Sequence, residues 1–223
     1  MNKEKTSMKD YEYRRAIVDV CHMLNDAGFV GTYEGNVSYK NGDKIFITPT
    51  QTSKALISEG QIIAIDPKGN VLEGDLKPTS ETPMHTRCYE LRPDINAVVH
   101  CHSPFATAYA QIGEPIVSKC STEFIMFFGE VPCLKYGTPG TLDIIADLDK
   151  YIYDYDVVLL ANHGILAVGK DPMEAYSKIM SVEMVLKTDF IRRSVFGDRN
   201  CDLPEDEVRM LYENGKKNRG YHG

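Results

Sequence analysis

Residues 97–102 read Ala-Val-Val-His-Cys-His, and this stretch restricts the fold more than any other part of the chain. Its small and β-branched residues are typical of a strand. Side chains at i and i+2 of a strand share a face about 7 Å apart, so His100 and His102 project together while Cys101 points away. Two imidazoles on one strand end form half of a metal site, although ordinary packing can use the same pattern.

The composition limits both the size of the protein and its partners. The chain has 223 residues and a formal charge of -7. We find no internal repeat and no low-complexity linker, so we predict one domain over residues 1–223. The acidic balance argues against a nucleic-acid partner, which needs a basic surface. No apolar stretch approaches the ~18 residues of a membrane span, and Met1–Lys5 are polar, so we expect a cytoplasmic protein without a membrane segment.

The cysteines show no Cys-x-x-Cys pair and no regular spacing. They are Cys21, Cys88, Cys101, Cys120, Cys133 and Cys201. In a chain of this length without a secretory leader, reduced and buried thiols are more common than bridges. We therefore expect these cysteines to be unpaired.

The spacing of apolar residues predicts helices and strands in turn along the chain. A first helix is expected over about 9–27. Thr82 followed by Pro83 resembles an N-cap with proline in the first turn, so a second helix should run to about Leu91. Strands are predicted at 44–48, 62–65, 156–161 and 165–168, and a long helix follows the capping-box pattern at 171–174.

Further polar groups follow other predicted elements. The strand pattern at 156–161 leads into Asn162-His163-Gly164. Three imidazoles plus an open position are typical of a catalytic divalent-ion site. Thr79-Ser80-Glu81 precedes a predicted helix, where backbone amides favour an anion, although Glu81 is equally compatible with a surface carboxylate. His85, inside that helix, is interpreted as a packing or supporting residue. Spacing alone supports a metal enzyme and a chance placement of histidines equally.

Five motifs occur in a fixed order and at compatible spacings. They are Gly35-Asn36-Val37-Ser38, Ile47-Thr48-Pro49-Thr50, Pro78-Thr79-Ser80-Glu81, His100-Cys101-His102 and Asn162-His163-Gly164. This series resembles the class II aldolase and adducin-head family over residues 10–195. The resemblance implies an α/β fold, a three-layer α/β/α sandwich around a largely antiparallel central sheet. It also implies a homotetramer with active sites between subunits.

The same resemblance implies a site and a reaction. It places one divalent metal per subunit on His100, His102, His163 and Glu81. It places the substrate phosphate on Asn36, Thr50, Thr79 and Ser80. Three neutral imidazoles suit Zn²⁺ by ligand type, and Mn²⁺ or Co²⁺ also fit. The implied reaction cleaves L-fuculose 1-phosphate, or a related deoxyketose 1-phosphate, to dihydroxyacetone phosphate and an aldehyde such as lactaldehyde. The metal would stabilise the enediolate, and Glu81 would act as acid/base.

One departure from the family pattern concerns proton transfer. Fuculose-type aldolases use a tyrosine from a neighbouring subunit, but no tyrosine lies between Tyr109 and Tyr136 here. Glu123 is the nearest ionisable residue, so we predict it as a hypothetical second acid/base. Tyr33 and Glu34 replace small residues of the family pattern, which leaves the identity of the sugar phosphate open.

Three alternative functions use the same motifs. A 4-epimerase of L-ribulose 5-phosphate would share the site, but epimerases typically carry Asp where Glu81 stands. A decarboxylase or dehydratase of a phosphorylated sugar would also use a metal-stabilised enolate. A non-catalytic binding module of the adducin type is the third, and the retention of the three histidines and Glu81 argues against it.

Overall fold

The computed structural model describes residues 9–217 and residue 220; Met1–Lys5 lie outside the described residues. The strands are β1 (Asn36–Asn41), β2 (Lys44–Ile47), β3 (Ile63–Ile65), β4 (Val71–Glu73), β5 (Ala97–Cys101), β6 (Ile116–Val117), β7 (Glu130–Val131), β8 (Cys133–Leu134), β9 (Val157–Leu160) and β10 (Gly164–Gly169). The α-helices are α1 (Asp10–Asp26), α2 (Thr82–Leu91), α3 (Pro104–Ile112), α4 (Thr122–Phe127), α5 (Pro172–Phe196) and α6 (Glu205–Lys216).

One large sheet organises the described residues. Its strand order is β4-β3-β2-β1-β5-β10-β9-β8, and β6 and β7 form a separate pair. Every neighbouring pair in the large sheet is antiparallel except β8 and β9. Strand β5 lies between β1 and β10, where His100 is opposite Asn36 on one side and Leu166 on the other. The largely antiparallel central sheet is therefore confirmed.

Helices cover both faces of this sheet. Successive strand residues point to opposite faces. Val99 packs in the cluster that contains α1, α3 and α5, whereas Val98 packs in the cluster that contains α2 and the short helical turns over 142–150. Each fully buried aliphatic side chain stabilises the fold by about 1.5–3 kcal/mol. The three-layer α/β/α arrangement is confirmed, with β5 in its centre.

The predicted elements differ from the structure mainly at their ends. Helix α2 ends at Leu91 as predicted, but its N-cap is Glu81 and not Thr82. The amide and hydroxyl of Thr82 both donate to the carbonyl of Thr79, so Thr82 already belongs to the first turn. Strand β3 begins at Ile63 because the amide of Ile62 closes a short 3₁₀ turn with Glu59. None of the helices in the described part combines the length and apolar character that a membrane crossing requires.

The prediction that the cysteines are unpaired is wrong for one pair. Cys120 and Cys201 form a disulfide that joins the loop before α4 to the segment between α5 and α6. The two residues are 81 positions apart, and their spacing carries no motif, so the pairing depends on the packing of α6 against α4. The other four cysteines are free, and Cys133 alone among them is only partly buried.

Candidate metal centre

Two strand ends bring the three predicted histidines together. His100 is the fourth residue of β5, and His102 follows that strand with its amide donating to the carbonyl of Phe29 at 2.9 Å. His163 lies in the turn between β9 and β10. Asn162 adopts a left-handed conformation (φ 58°) in this turn and donates its amide to the Ala110 carbonyl at 2.7 Å. Because β10 pairs directly with β5, the turn delivers His163 to the end of β5.

The imidazole rings form a compact cluster. One nitrogen from each of His100, His102 and His163 lies within 4.8 Å of the other two. The rings of His100 and His163 stack with centroids 4.7 Å apart, and the His102 ring is steeply inclined to both. The Nε2 atoms of His100 and His102 are 3.2 Å apart. Two ligands of a tetrahedral zinc ion, each 2.0–2.1 Å from it, would be roughly 3.3 Å apart.

The hydrogen bonding of His100 prepares it to bind a cation. Its Nδ1 is 3.0 Å from the carbonyl of Ile165, an acceptor, so Nδ1 carries the proton and Nε2 presents a lone pair. Burial lowers the pKa of His100 to about 3, which nearby Glu81 only partly offsets. Burial also lowers the pKa of His102, and His163 adds to the effect. Neutral imidazoles at pH 7 are the form that binds a borderline divalent ion, so these residues fit such an ion.

Glu81 places a carboxylate beside the histidines. It is 8% exposed, and its Oε1 is 2.9 Å from His163 Nε2 while its Oε2 is 3.5 Å from His100 Nε2. Oε2 also accepts a hydrogen bond of 2.6 Å from Asn36 Nδ2. Burial opposes ionisation of Glu81, but His100 and the hydrogen bonds from His163 and Asn36 outweigh it, so the pKa lies well below its ordinary value. The carboxylate can serve as a fourth ligand or as a base.

The residues predicted to hold a phosphate lie on two neighbouring segments. Pro49 and Pro78 form an antiparallel bridge, which brings Thr50 and Thr79 to adjacent backbones just before α2. Ser80 is exposed, whereas Thr79 is buried with its Oγ1 accepting from the amide of Glu81. The amide side chain of Asn36 is directed at Glu81 and at the buried His85. The structure therefore groups Thr50, Thr79 and Ser80, and it joins Asn36 to the carboxylate.

Lys54 is a charged residue at this site that the sequence reasoning missed. It is 1% exposed, and its Nζ donates to the carbonyls of Thr52 at 2.9 Å and Tyr33 at 3.2 Å. Burial lowers the pKa of Lys54, and nearby negative groups that include Glu34 and Glu81 oppose this effect. A lysine in a polar loop carries no sequence signal of burial, because lysine is rarely buried completely. Lys54 joins the loop segment 50–54 to the turn before β1.

Glu123 is not part of this cluster within one chain. It is exposed on α4, where its carboxylate accepts a hydrogen bond from Thr122 Oγ1 at 2.8 Å. The groove that it lines runs between α4 and α5 and contains none of the three histidines. The apolar residues that follow it in sequence pack inside the protein at Phe124 and Ile125. The sequence pattern around Glu123 therefore reflects the packing of α4.

Gly164 allows β10 to approach the histidines closely. A Cβ atom at this position would lie 2.5 Å from the Cys101 carbonyl oxygen and 2.7 Å from His102 Cδ2. We expect Gly164→Ala to displace the His102 ring, weaken metal binding at least tenfold and destabilise the fold by about 1–3 kcal/mol. Metal titration and thermal unfolding test this, with Gly60→Ala as control because a Cβ there meets no atom within 4 Å. Wild-type metal affinity in Gly164→Ala would contradict the expectation.

Comparisons with known proteins agree with this geometry. Residues 15–190 match the family described as Class II Aldolase and Adducin N-terminal domain. The L-fuculose phosphate aldolase of Methanocaldococcus jannaschii is 36% identical over 76% of this chain and 91% of its own length. The 5-deoxy-D-ribulose 1-phosphate aldolase of Bacillus thuringiensis is 32% identical, over 93% of this chain and 96% of its own length.

Relatives with other names are also similar. The 3-oxo-tetronate 4-phosphate decarboxylase of Haemophilus influenzae is 28% identical over 94% of this chain and 100% of its own length. Among solved structures, an L-fuculose 1-phosphate aldolase superposes with a TM-score of 0.81 at 29% identity, covering 91% of this chain and 95% of the other. The chain therefore belongs to the class II aldolase and adducin N-terminal domain family, and it is a lyase of the class II aldolase type.

Proposed function

We propose that this protein is a metal-dependent aldolase that cleaves L-fuculose 1-phosphate, or a related deoxyketose 1-phosphate, to dihydroxyacetone phosphate and an aldehyde such as lactaldehyde. The observation that carries the proposal is the convergence of three histidines with the Glu81 carboxylate, which lies 2.9 Å from His163 Nε2. The names of the aldolase relatives support the class of substrate.

His100, His102 and His163 would hold the ion, with Glu81 as an exchangeable fourth ligand. Zinc is the ion that we propose, because three imidazoles suit it by ligand type, and manganese or cobalt could take its place. When bound, the ion supplies a Lewis acid that polarises the substrate carbonyl and offsets the negative charge left by carbon–carbon cleavage.

Glu81 would move the proton at the substrate carbon next to the carbonyl. Its Oε2 accepts a hydrogen bond from Asn36, and its Oε1 lies beside His163, so Oε1 is the oxygen that we assign to the proton transfer. A base must lie within hydrogen-bond reach of the proton that it takes, and it must be ionised before the step. The low pKa of Glu81 satisfies the second condition at neutral pH.

The substrate phosphate would bind where the two bridged segments meet the start of α2. Thr50 and Ser80 offer hydroxyl groups, and Asn36 keeps one amide hydrogen beyond the one given to Glu81. Thr79 would support this pocket through its backbone and its hydroxyl contact with Glu81. The positive end of α2 favours an anion at this position.

Replacement of Lys54 tests the phosphate pocket. Without the Nζ contacts to Thr52 and Tyr33, the segment 50–54 loses its link to the turn before β1. We expect Lys54→Met to raise KM for the phosphorylated substrate about tenfold, roughly the 1.4 kcal/mol of a lost charged hydrogen bond, with a smaller change in kcat. Steady-state kinetics measure both, and the exposed Lys68→Met is the control. A normal KM in Lys54→Met would contradict this role.

A homotetramer with sites between subunits is also part of the proposal. Within one chain, a groove of about 660 Å³ near Lys40 and Tyr89 is lined by none of the three histidines. Helix α5 exposes apolar side chains at its C-terminal end, including Phe190 at 58% exposure. A second copy of the chain could cover these side chains and could bring Glu123 to the active site of a neighbouring subunit. We place the enzyme in the cytoplasm. Unchanged turnover in Glu123→Gln would exclude Glu123 as the second acid/base.

A phosphorylated-sugar decarboxylase is the second candidate. The Haemophilus influenzae relative supports it, because the match covers nearly the whole chain. Both reactions leave negative charge on the carbon next to a carbonyl, so the same site would serve either. A 4-epimerase is less favoured, because Glu81 stands where such enzymes carry Asp.

Product analysis distinguishes these reactions. The metal-loaded protein is incubated separately with L-fuculose 1-phosphate, 5-deoxy-D-ribulose 1-phosphate and L-ribulose 5-phosphate. We expect dihydroxyacetone phosphate from one or both of the 1-phosphates, together with an equal amount of aldehyde. Epimerised pentose phosphate without any cleavage product would overturn the aldolase proposal. Inactivity on all three substrates, together with carbon dioxide from a phosphorylated 3-oxo acid, would favour the decarboxylase.

A further inference from the structure

A line of buried polar groups runs from Glu81 into the layer between the sheet and α2. Asn36 donates through Nδ2 to Glu81 Oε2 at 2.6 Å, and its Oδ1 contacts His85 Nε2. On the other side of the imidazole, His85 Nδ1 is 2.6 Å from Ser38 Oγ. Ser38 Oγ is in turn 2.6 Å from the hydroxyl of Tyr89. All of these side chains are buried. Within this line of contacts, Asn36 is the residue that touches the Glu81 carboxylate.

The chemistry of each group fixes the direction of these hydrogen bonds. Burial lowers the pKa of His85 to about 4, so its imidazole is neutral and has one donor and one acceptor nitrogen. With the proton on Nε2, His85 donates to Asn36 Oδ1 and accepts from the hydroxyl of Ser38. Tyr89 then donates to Ser38 Oγ at 2.6 Å and not to the Asn96 carbonyl 3.2 Å away, which already accepts from the amide of Lys40 at 2.6 Å. Every group in the line then has a partner of the opposite kind.

The reverse arrangement does not fit a carboxylate at position 81. With the proton on Nδ1, His85 would accept through Nε2 from the NH₂ group of Asn36. The amide oxygen of Asn36 would then face Glu81 Oε2, and two acceptors would meet at 2.6 Å in a buried place. An unsatisfied buried pair of this kind costs about 1–3 kcal/mol. The tautomer of His85 therefore decides which end of the Asn36 amide meets Glu81.

We propose that His85 is a positioning residue that acts through Asn36 to fix the orientation of the Glu81 carboxylate beside the three histidines. The Nε2–H group holds the Asn36 amide, and the amide holds Oε2 of Glu81. In this orientation Oε2 is 3.5 Å from His100 Nε2 and Oε1 is 2.9 Å from His163 Nε2. On the other side of the ring, Ser38 donates to Nδ1 and accepts from Tyr89, which supports the tautomer with the proton on Nε2. This inference rests on the proposed function only where it predicts an effect on turnover.

The tautomer can be measured without any activity assay. The metal-free protein is labelled with ¹⁵N-histidine, and the His85 signals are assigned by their loss in His85→Gln. Long-range ¹H–¹⁵N spectra at pH 7 should show a protonated, pyrrole-type Nε2 and an unprotonated, pyridine-type Nδ1. A protonated Nδ1, or exchange between both tautomers, would overturn the proposal whatever the enzyme does.

Kinetics test the consequence for Glu81. His85→Leu removes the donor, whereas His85→Gln can still donate to Asn36 from its side-chain amide. We expect His85→Leu to lower kcat at least tenfold with metal content unchanged and a smaller change in KM, and His85→Gln to restore most of the loss in kcat. In an Asn36→Ala background, His85→Leu should cause no further loss, because His85 acts through Asn36.

Additive losses in the double variant, or equal losses in His85→Leu and His85→Gln, would overturn the positioning role and leave a structural one.

The proposed function and the His85 inference can fail separately. A wild-type protein that is inactive on every sugar phosphate but shows the protonated Nε2 would refute the proposed function and retain the His85 assignment. The ¹H–¹⁵N spectrum therefore tests the His85 assignment independently of enzyme activity.

Discussion

Glu81→Gln is expected to lower kcat for sugar-phosphate cleavage by about 10²–10⁴ while the protein keeps its fold and its metal. The amide has nearly the same shape as the carboxylate, so the contact with Asn36 can persist. It cannot take a proton, however, and it carries no charge. The expected loss therefore falls on kcat, since the three histidines and the phosphate pocket remain in place.

Kinetics and metal analysis of the same sample measure this effect. Glu90→Gln is the matched control, because Glu90 lies on the same helix with an exposed side chain paired to Arg87. Turnover in Glu81→Gln within a factor of a few of wild type would show that another group moves the proton. A loss that appears only together with a loss of metal would assign Glu81 to metal binding alone.

His102→Ala is expected to weaken binding of the divalent ion more than ~100-fold and to abolish measurable cleavage. Removal of one imidazole leaves two nitrogens and one carboxylate to hold the ion. The rise in thermal stability on adding metal should disappear with it. For an ion at about 100 times its Kd, that stabilisation is about 2.7 kcal/mol.

Metal content after dialysis and the shift in melting temperature measure the result. His22→Gln is the control, because His22 lies outside the cluster and its Nε2 is 3.0 Å from the carbonyl of Ile57. Full metal content and activity in His102→Ala would show that the ion does not depend on the three-histidine site.

Much of the site could be predicted because its residues stand at strand ends. His100 and His102 share a face of β5 by the alternation of an extended chain, and that geometry is local. The approach of His163 depends on the pairing of β10 with β5, which is not local. The order of five motifs and the family resemblance supplied that link, and hydrophobic spacing alone did not.

The remainder of the site depends on packing that leaves no pattern in the sequence. Lys54 is buried against two carbonyl groups, although its neighbours are polar loop residues. Ser38 of β1 contacts both His85 and Tyr89 of α2, which lie 47 and 51 positions away in the sequence. Cys120 and Cys201 pair across 81 positions for the same reason. Glu123 lies apart from the cluster within one chain, and its apolar neighbours Phe124 and Ile125 reflect the packing of α4.

The most direct test of the account is the release of dihydroxyacetone phosphate from L-fuculose 1-phosphate as zinc is added back to metal-stripped protein. We expect negligible release without metal and a linear rise that ends at one equivalent of zinc per chain. The same titration of His102→Ala should stay flat. Full activity in the stripped wild-type protein, or metal-dependent release that is unchanged in His102→Ala, would contradict the assignment of cleavage to the three-histidine site.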